Sequence, residues 1–360
     1  MTNEQIEQLH EKNQKLIDMV IQRAKRDFPD DIALIGLTGS FSTDDFHAHS
    51  DLDLIIVNNN GNGWNIGDCF ILDEVGYDIY CTPWEKLEEM ARLETPYLSI
   101  LTDLKILYVA DEIHEKRFKE LQEKALISLA QPLNKDTIAR AKIYLDNAKR
   151  IFTDIILAEE IGEIRYQASS LVYEIVNTVV ALNNTYIKRG IKRYFDDLPE
   201  YEYVPKNFKA NFEAIVKAKN EDKIKDSAKI FLVETVALYK KLEQTIAQIP
   251  TPTKENLPCW YEEMWCNCRN KIINATTRGD GNYAFLAGEG AQSYFDEMTV
   301  KLGTPKQDLM QHFAVDDLDD FREKFLEIMD EYQQLYNELG ISVRHFERFD
   351  DLYEDYMKKD

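Results

Sequence analysis

Residues 4–27 place Ile6, Leu9, Leu16, Ile17, Val20, Ile21 and Ala24 near helical spacing among polar residues. That pattern predicts an amphipathic helix, closed by Phe28, Pro29 and two aspartates. The periodicity then changes. IALIGL, 32–37, is a short apolar run ending at Thr38-Gly39-Ser40, and it reads as a buried strand. Beyond the polar stretch FSTDDFHAHS, the run DLDLIIV, 51–57, reads as a second strand. Asn58 to Gly67 is rich in Asn and Gly and reads as a loop. CFILDEV and YDIYCT predict two further short strands. Pro83 opens a predicted helix, PWEKLEEMARLE, at a position where its missing N–H costs little.

From about Asn134 the pattern predicts long helices over roughly 135–160, 164–189, 205–219 and 222–248. IPTPTKENLP, 249–258, holds three prolines and reads as a linker or a sharp corner. An aromatic and cysteine-rich segment follows, then a Gly-rich stretch near 279–290, then helices at about 317–339 and 346–358. No internal repeat is visible. The order predicts an α+β chain: a small mixed β-sheet domain with flanking helices over 1–130, a helical bundle over 131–250, and a helical C-terminal extension of unassigned role over 251–360.

Composition narrows the class. A chain of 360 residues can bury a sizeable core, and scarce Pro and Gly exclude a fibrous or disordered chain. No uninterrupted apolar run reaches the length of a membrane span, and MTNEQIEQLHEKNQKL lacks the apolar core of a signal peptide, so the expected compartment is the cytoplasm. The five cysteines are odd in number and thinly spread, which implies no disulfide framework. Cys259, Cys266 and Cys268 lack a fourth ligand at zinc spacing, and packing with Trp260, Tyr261 and Trp265 is the expectation there. The net charge of −22 argues against bulk nucleic acid or an anionic membrane as partner. It suits a cationic substrate, although an acidic surface also serves solubility alone.

The candidate chemistry sits where the strands meet. Residues i and i+2 of a strand share a face, so Asp51 and Asp53 are expected side by side. Two such carboxylates repel unless a cation lies between them, and rigid oxygen ligands suit Mg²⁺. Gly39 lets the backbone approach a phosphate and Ser40 adds a hydroxyl donor. Asp78, in Gly76-Tyr77-Asp78-Ile79-Tyr80, supplies a third carboxylate on a later strand, which a two-metal phosphoryl displacement needs.

LTGSFSTDDFHAHSDLDLIIV resembles the signature of polymerase β-type nucleotidyltransferases: strand, Gly-Ser, spacer, then Asp-x-Asp on the next strand. It is similar in particular to the kanamycin nucleotidyltransferase group of antibiotic adenylyltransferases, over about residues 30–110 and more weakly to about 190. The resemblance implies Mg²⁺ at Asp51, Asp53 and Asp78, with ATP bound near Gly39, Ser40 and Ser50. It implies transfer of AMP to a hydroxyl of a small, aminoglycoside-like acceptor. In that group a carboxylate on the first long helix of the second domain acts as general base, and a basic residue one turn on meets the phosphates. AKIYLDNAKR offers Asp146 and Arg150 for these roles, an ordinary exposed i,i+4 ion pair being the plainer reading. If the base lies elsewhere, Glu163 and Glu174 on the neighbouring helix come next.

Family members often carry an Arg three residues after the motif Ser; here that place is Thr43. His47, His49 or a distant lysine could stand in, or catalysis could be weak or lost. The cluster Lys188, Arg189, Lys192 and Arg193 is a further candidate nucleotide contact, or a solvated helix end. RGDGNYAFLAGEG lacks the Lys-Ser/Thr of a P-loop. Two rival functions stay open: adenylylation of a protein side chain, as in resembling toxin–antitoxin transferases, and nucleotide binding without catalysis. A homodimer is also open.

Overall fold

The long N-terminal helix α1 (Asn3–Asp27) lays Leu16, Ile17, Val20 and Ala24 on one face of a sheet, the stripe that its periodicity calls for. A computed structural model describes residues 2–41, 46–47, 50–188, 190, 193–247 and 250–358. The chain divides into two compact units, Met1–Ala247 and Gln248–Asp360.

In the first unit the strands are β1 (Ile32–Leu37), β2 (Leu54–Asn58), β3 (Asp68–Leu72), β4 (Val75–Pro83) and, later, β5 (Lys105–Val109). They form a mixed sheet in the order β3-β4-β2-β1-β5. Only β2 and β4 run parallel; the other neighbours are antiparallel. The β3–β4 hairpin turns on Asp73 and Glu74, both with positive φ (51° and 61°), as a tight two-residue hairpin loop requires. Between β4 and β5 lie α2 (Trp84–Ala91) and the single turn α3 (Ser99–Thr102). Pro83 is the last residue of β4 and the N-cap of α2, so the helix starts one residue later than the sequence suggests.

Both faces of the sheet are covered, which explains why β1 and β2 are buried at every position rather than alternating. Ile35, Leu37, Leu54, Ile56, Tyr77 and Ile79 pack under α1. Ala33, Leu34, Ile55 and Val57 pack on the opposite face against Trp84, Leu87, Met90, Leu104 and Phe118. Phe118 belongs to α4 (Glu112–Leu129), whose N-terminus is capped by the Asp111 carboxylate on the N–H groups of Ile113 and His114.

The helical part of the same unit holds α5 (Lys135–Leu157), α6 (Ile161–Leu182), the single turn α7 (Tyr194–Asp197), α8 (Phe208–Lys217) and α9 (Glu221–Ile246). An Asn134–Thr137 capping box starts α5. Ala141, Leu145, Ala148 and Ile155 of α5 pack with Leu171, Val172, Ile175 and Val179 of α6 in one core. Two residues tie this body to the sheet. Tyr186 joins the core over Ile55 and Val57, and its hydroxyl donates to Asp103 Oδ1 at 2.7 Å. Asn184 is 6% exposed, and its amide donates to the carbonyls of Ser128 at 2.8 Å and Gln131 at 2.8 Å.

The second unit is helical: α10 (Trp260–Met264), a π-helical turn at Trp265–Arg269, α11 (Asn270–Thr277), α12 (Gly281–Leu302), α13 (Leu318–Glu338) and α14 (Phe349–Met357). The Gly-rich stretch near 279–290 is therefore helix. Asp280 caps it by accepting from the Tyr283 N–H at 3.0 Å. Gly288 is small for packing: a Cβ there would lie 2.6 Å from the Phe321 ring. No helix among the described residues is long and apolar enough to cross a membrane.

Candidate active site

The sheet register lines up one row of residues. Lys105 lies opposite Leu37, Leu37 opposite Leu54, and Leu54 beside Ile79. Asp53 is the residue before β2, and Asp78 is the residue before Ile79, the β4 partner of Leu54. Cys69 lies opposite Asp78 on its other side. Tyr77 and Ile79 point to the α1 face, so Asp78 projects to the other face, where it is exposed.

Gly39 closes the site from β1. It takes φ +75°, the left-handed region that glycine tolerates best. A Cβ on Gly39 would fall 1.7 Å from Asp53 Oδ2, so the turn backbone lies directly against this carboxylate. The Thr38 N–H also donates to the Asp53 carbonyl at 3.1 Å. The sequence places Asp51 and Asp53 within a strand, but β2 begins only at Leu54. Leu54 N–H donates back to the Leu52 carbonyl at 2.9 Å, which makes a tight turn centred on Asp53. The ladder stops because β1 turns away at Gly39. Strand alternation therefore does not set the direction of Asp51. Asp51 is half-buried, and its carboxylate makes no hydrogen bond or ion pair with the described residues.

The loop ahead of these carboxylates is anchored on α1. Phe41 and Phe46 stack at 4.5 Å, and His10 meets both rings edge-on. Ser50 is 5% exposed. Its hydroxyl accepts from the His47 N–H at 2.9 Å, while its own N–H donates to the His47 carbonyl at 2.9 Å. In this arrangement Ser50 holds the turn. Ser40 follows Gly39 at the loop entrance. Thr43, His49, Arg189 and Lys192 lie outside the described residues.

The Cys69 thiol donates to Asp78 Oδ1 at 3.4 Å, and that bond, with the carboxylate charge, pushes the thiol pKa up. For a metal, Asp53 and Asp78 offer two hard oxygen donors on adjacent strands. That suits a divalent cation that keeps several waters, as Mg²⁺ does. Among the described residues, no three His, Cys, Asp or Glu side chains stand close enough together to hold a metal ion, so Asp51 is not gathered with the other two.

Asp146 and Arg150 do not pair with each other. Asp146, on α5, accepts from Lys142 one turn back and from Lys149 at 2.9 Å. The Lys142 bond, then the Lys149 bond, hold its carboxyl below the usual range. Arg150 is largely exposed and pairs with Asp154 at 3.8 Å. Both residues sit on a helix that packs against α6 and α9.

A different carboxylate has the environment of a base. Glu174 of α6 is half-buried and faces α5; burial pushes its pKa up, against weaker pulls from Asn147 and Arg150. Its Oε2 is buried without a hydrogen-bond partner. The preceding residue, Tyr173, stacks with Tyr97 of the α2–α3 segment at 6.3 Å, so this turn of α6 lies at the seam with the sheet domain. The sequence signal was a Glu and an Asn, Glu174 and Asn177, inside the otherwise apolar run LVYEIVNTVVAL.

A Gly-Ser turn thus packs on the aspartate that leads into β2, and a second aspartate stands on the neighbouring strand β4. Residues 17–156 match the family model described as Nucleotidyltransferase domain. No curated protein matches the chain. Among solved structures it is similar to a nucleotidyltransferase-like protein from Exiguobacterium sibiricum 255-15, at 10% identity over 78% of this chain and 88% of that one. The TM-score of 0.32 is too low for that likeness to carry an argument.

Proposed function

We propose that the protein transfers a nucleoside monophosphate, AMP from ATP by resemblance, to a hydroxyl and releases pyrophosphate. The carrying observation is Gly39 packed on Asp53 at the entry to β2, with Asp78 on the parallel neighbour β4. Asp53 and Asp78 would be the residues that meet a divalent cation, its remaining positions filled by water and phosphate oxygens. Bound there, Mg²⁺ would offset the triphosphate charge and acidify the attacking hydroxyl. The Gly39-Ser40 turn would cradle phosphate oxygens through backbone N–H groups, an approach that Gly39 alone permits beside Asp53.

In the reaction the acceptor oxygen bonds to the α-phosphorus, the bond from the α-phosphorus to the bridging oxygen breaks, and pyrophosphate leaves. The hydroxyl proton needs a base. We assign it to Glu174 in preference to Asp146. Desolvation makes Glu174 the better proton acceptor, whereas two lysines make Asp146 a poorer one. The acceptor is a small hydroxylated molecule entering at the seam of sheet and helices. An aminoglycoside-like acceptor is favoured by the charge of −22.

A second reading, nucleotide binding without transfer, rests on Thr43 in place of the family's usual arginine. Pyrophosphate release from each of the four nucleoside triphosphates with Mg²⁺, over a panel of aminoglycosides and neutral polyols, separates the two. Release that depends on one acceptor and disappears in Asp53→Asn supports transfer. Tight Mg²⁺–nucleotide binding with no release for any acceptor supports the second reading.

A further inference from the structure

A crevice of about 290 Å³, its open mouth included, lies where the segment after α2 meets α5 and α6. Leu93, Pro96 and Leu98 line it from the sheet domain, and Arg140, Tyr144 and Asn177 from the helices. Its enclosed part is only about 20 Å³, room for about one water, so a larger group would sit with most of its bulk in the open mouth.

Two features of its wall are incomplete. Arg140 is half-buried, and among the described residues no carboxylate lies within ion-pair distance of it; its hydrogen-bond partner is the neutral Asn184 Oδ1. Asp136, one turn back, raises its pKa from a distance, but burial outweighs this and pulls the guanidinium down. A desolvated cation without a counter-ion is costly, and an anion would relieve that cost. Asn177 is 2% exposed, and its Oδ1 is buried with no hydrogen-bond partner. A buried acceptor left bare calls for a donor. Tyr144, part of the same wall, feels the charge of Glu174.

We infer that this crevice is a binding site for a phosphate-class oxyanion, with Arg140 meeting its charged oxygens and Asn177 accepting from its protonated oxygen. A partly protonated phosphate satisfies both demands in one group, because it retains a proton near neutral pH. Sulfate and carboxylate meet the first demand only. The site does not use Asp53, Asp78 or a metal, so its test can fail or succeed independently of the transfer reading, although it lies at the same seam as Glu174. Free phosphate and a phosphate ester on a larger molecule share the chemistry.

The test is calorimetric titration of the full chain with inorganic phosphate, sulfate and glycerol phosphate at pH 6 in EDTA, which keeps metal-linked phosphate binding out. Saturable binding of phosphate over sulfate is expected. Arg140→Gln and Asn177→Leu should each weaken it by about 10- to 100-fold, the worth of a hydrogen bond to a charged group. Asp53→Asn should leave it unchanged. Arg140→Lys, which keeps the charge, guards against a folding defect and should retain part of the affinity. Tighter binding of glycerol phosphate than of phosphate would point to the ester as source, and the reverse to the free ion. Equal binding of sulfate and phosphate, no phosphate binding, or binding unaffected in both Arg140→Gln and Asn177→Leu overturns the assignment.

Discussion

Gly39→Ala is the sharpest test of the site, because the structure fixes what the added methyl meets. The new Cβ would lie 1.7 Å from Asp53 Oδ2 and 2.5 Å from its Cγ, whereas real Cβ contacts are essentially never under 3.0 Å. Asp53 must therefore move by about 1.3 Å, or the turn must open by as much. A misplacement of about 1 Å in a reacting array costs on the order of 10²-fold in rate. The stability cost is separate and smaller. Alanine at φ +75° loses about 1–2 kcal/mol to left-handed sterics. That lowers the melting temperature by about 2–8 °C for a unit of this size. The assay is pyrophosphate release alongside thermal unfolding, in wild type, Gly39→Ala, Asp53→Asn and the double variant. Because Asp53→Asn is expected to abolish transfer, the double variant is read by its melting temperature, where two changes to one contact should not add. Gly39→Ala retaining more than about a tenth of wild-type activity would refute the claim that this turn positions the carboxylate.

Asp53→Asn and Asp78→Asn should each abolish transfer while leaving the unfolding transition in place; full activity in either variant, measured as pyrophosphate release, removes that residue from the metal set. Glu174→Gln should lower kcat by about 10²–10⁴-fold and Asp146→Asn by less than about tenfold, read in single-turnover kinetics; the reverse order returns the base to α5. Glu174 also predicts a pH signature. Its folded pKa is raised above 4.5, so the folded state loses stability as pH rises from 4.5 through the folded value. Glu174→Gln should accordingly melt higher than wild type above that window and equally below it, as a pH series of melting curves will show. Asn184→Ala should cost about 2–4 kcal/mol in urea unfolding, since it leaves Arg140 and the carbonyls of Ser128 and Gln131 without their shared partner.

The sequence by itself determined the elements whose period is strong. The stripe Leu16, Ile17, Val20 and Ala24 of α1, the apolar run of β1, and the α5 and α9 helices follow from spacing alone, because burial of one face repeats at 3.6 residues and a doubly covered strand is apolar throughout. Gly39-Ser40 and Asp51-Leu52-Asp53 were legible as neighbours because their spacing is local. Other features depended on partners far away in the chain. The Gly-rich stretch near 279–290 carries no element assignment in the sequence, and the reason for Gly288 is visible only when Phe321 of α13 packs against it. Asp51 leaves the strand because β1 turns at Gly39, an event 12 residues earlier. Asp146 and Arg150 share a helix face, but charge pairing follows nearest neighbours, and Lys142, Lys149 and Asp154 take both. Glu174, Asn177 and Arg140 acquire their character only when α5, α6 and the α2–α3 segment close over them. Desolvation is a property of the packed assembly, and no single stretch of sequence contains it.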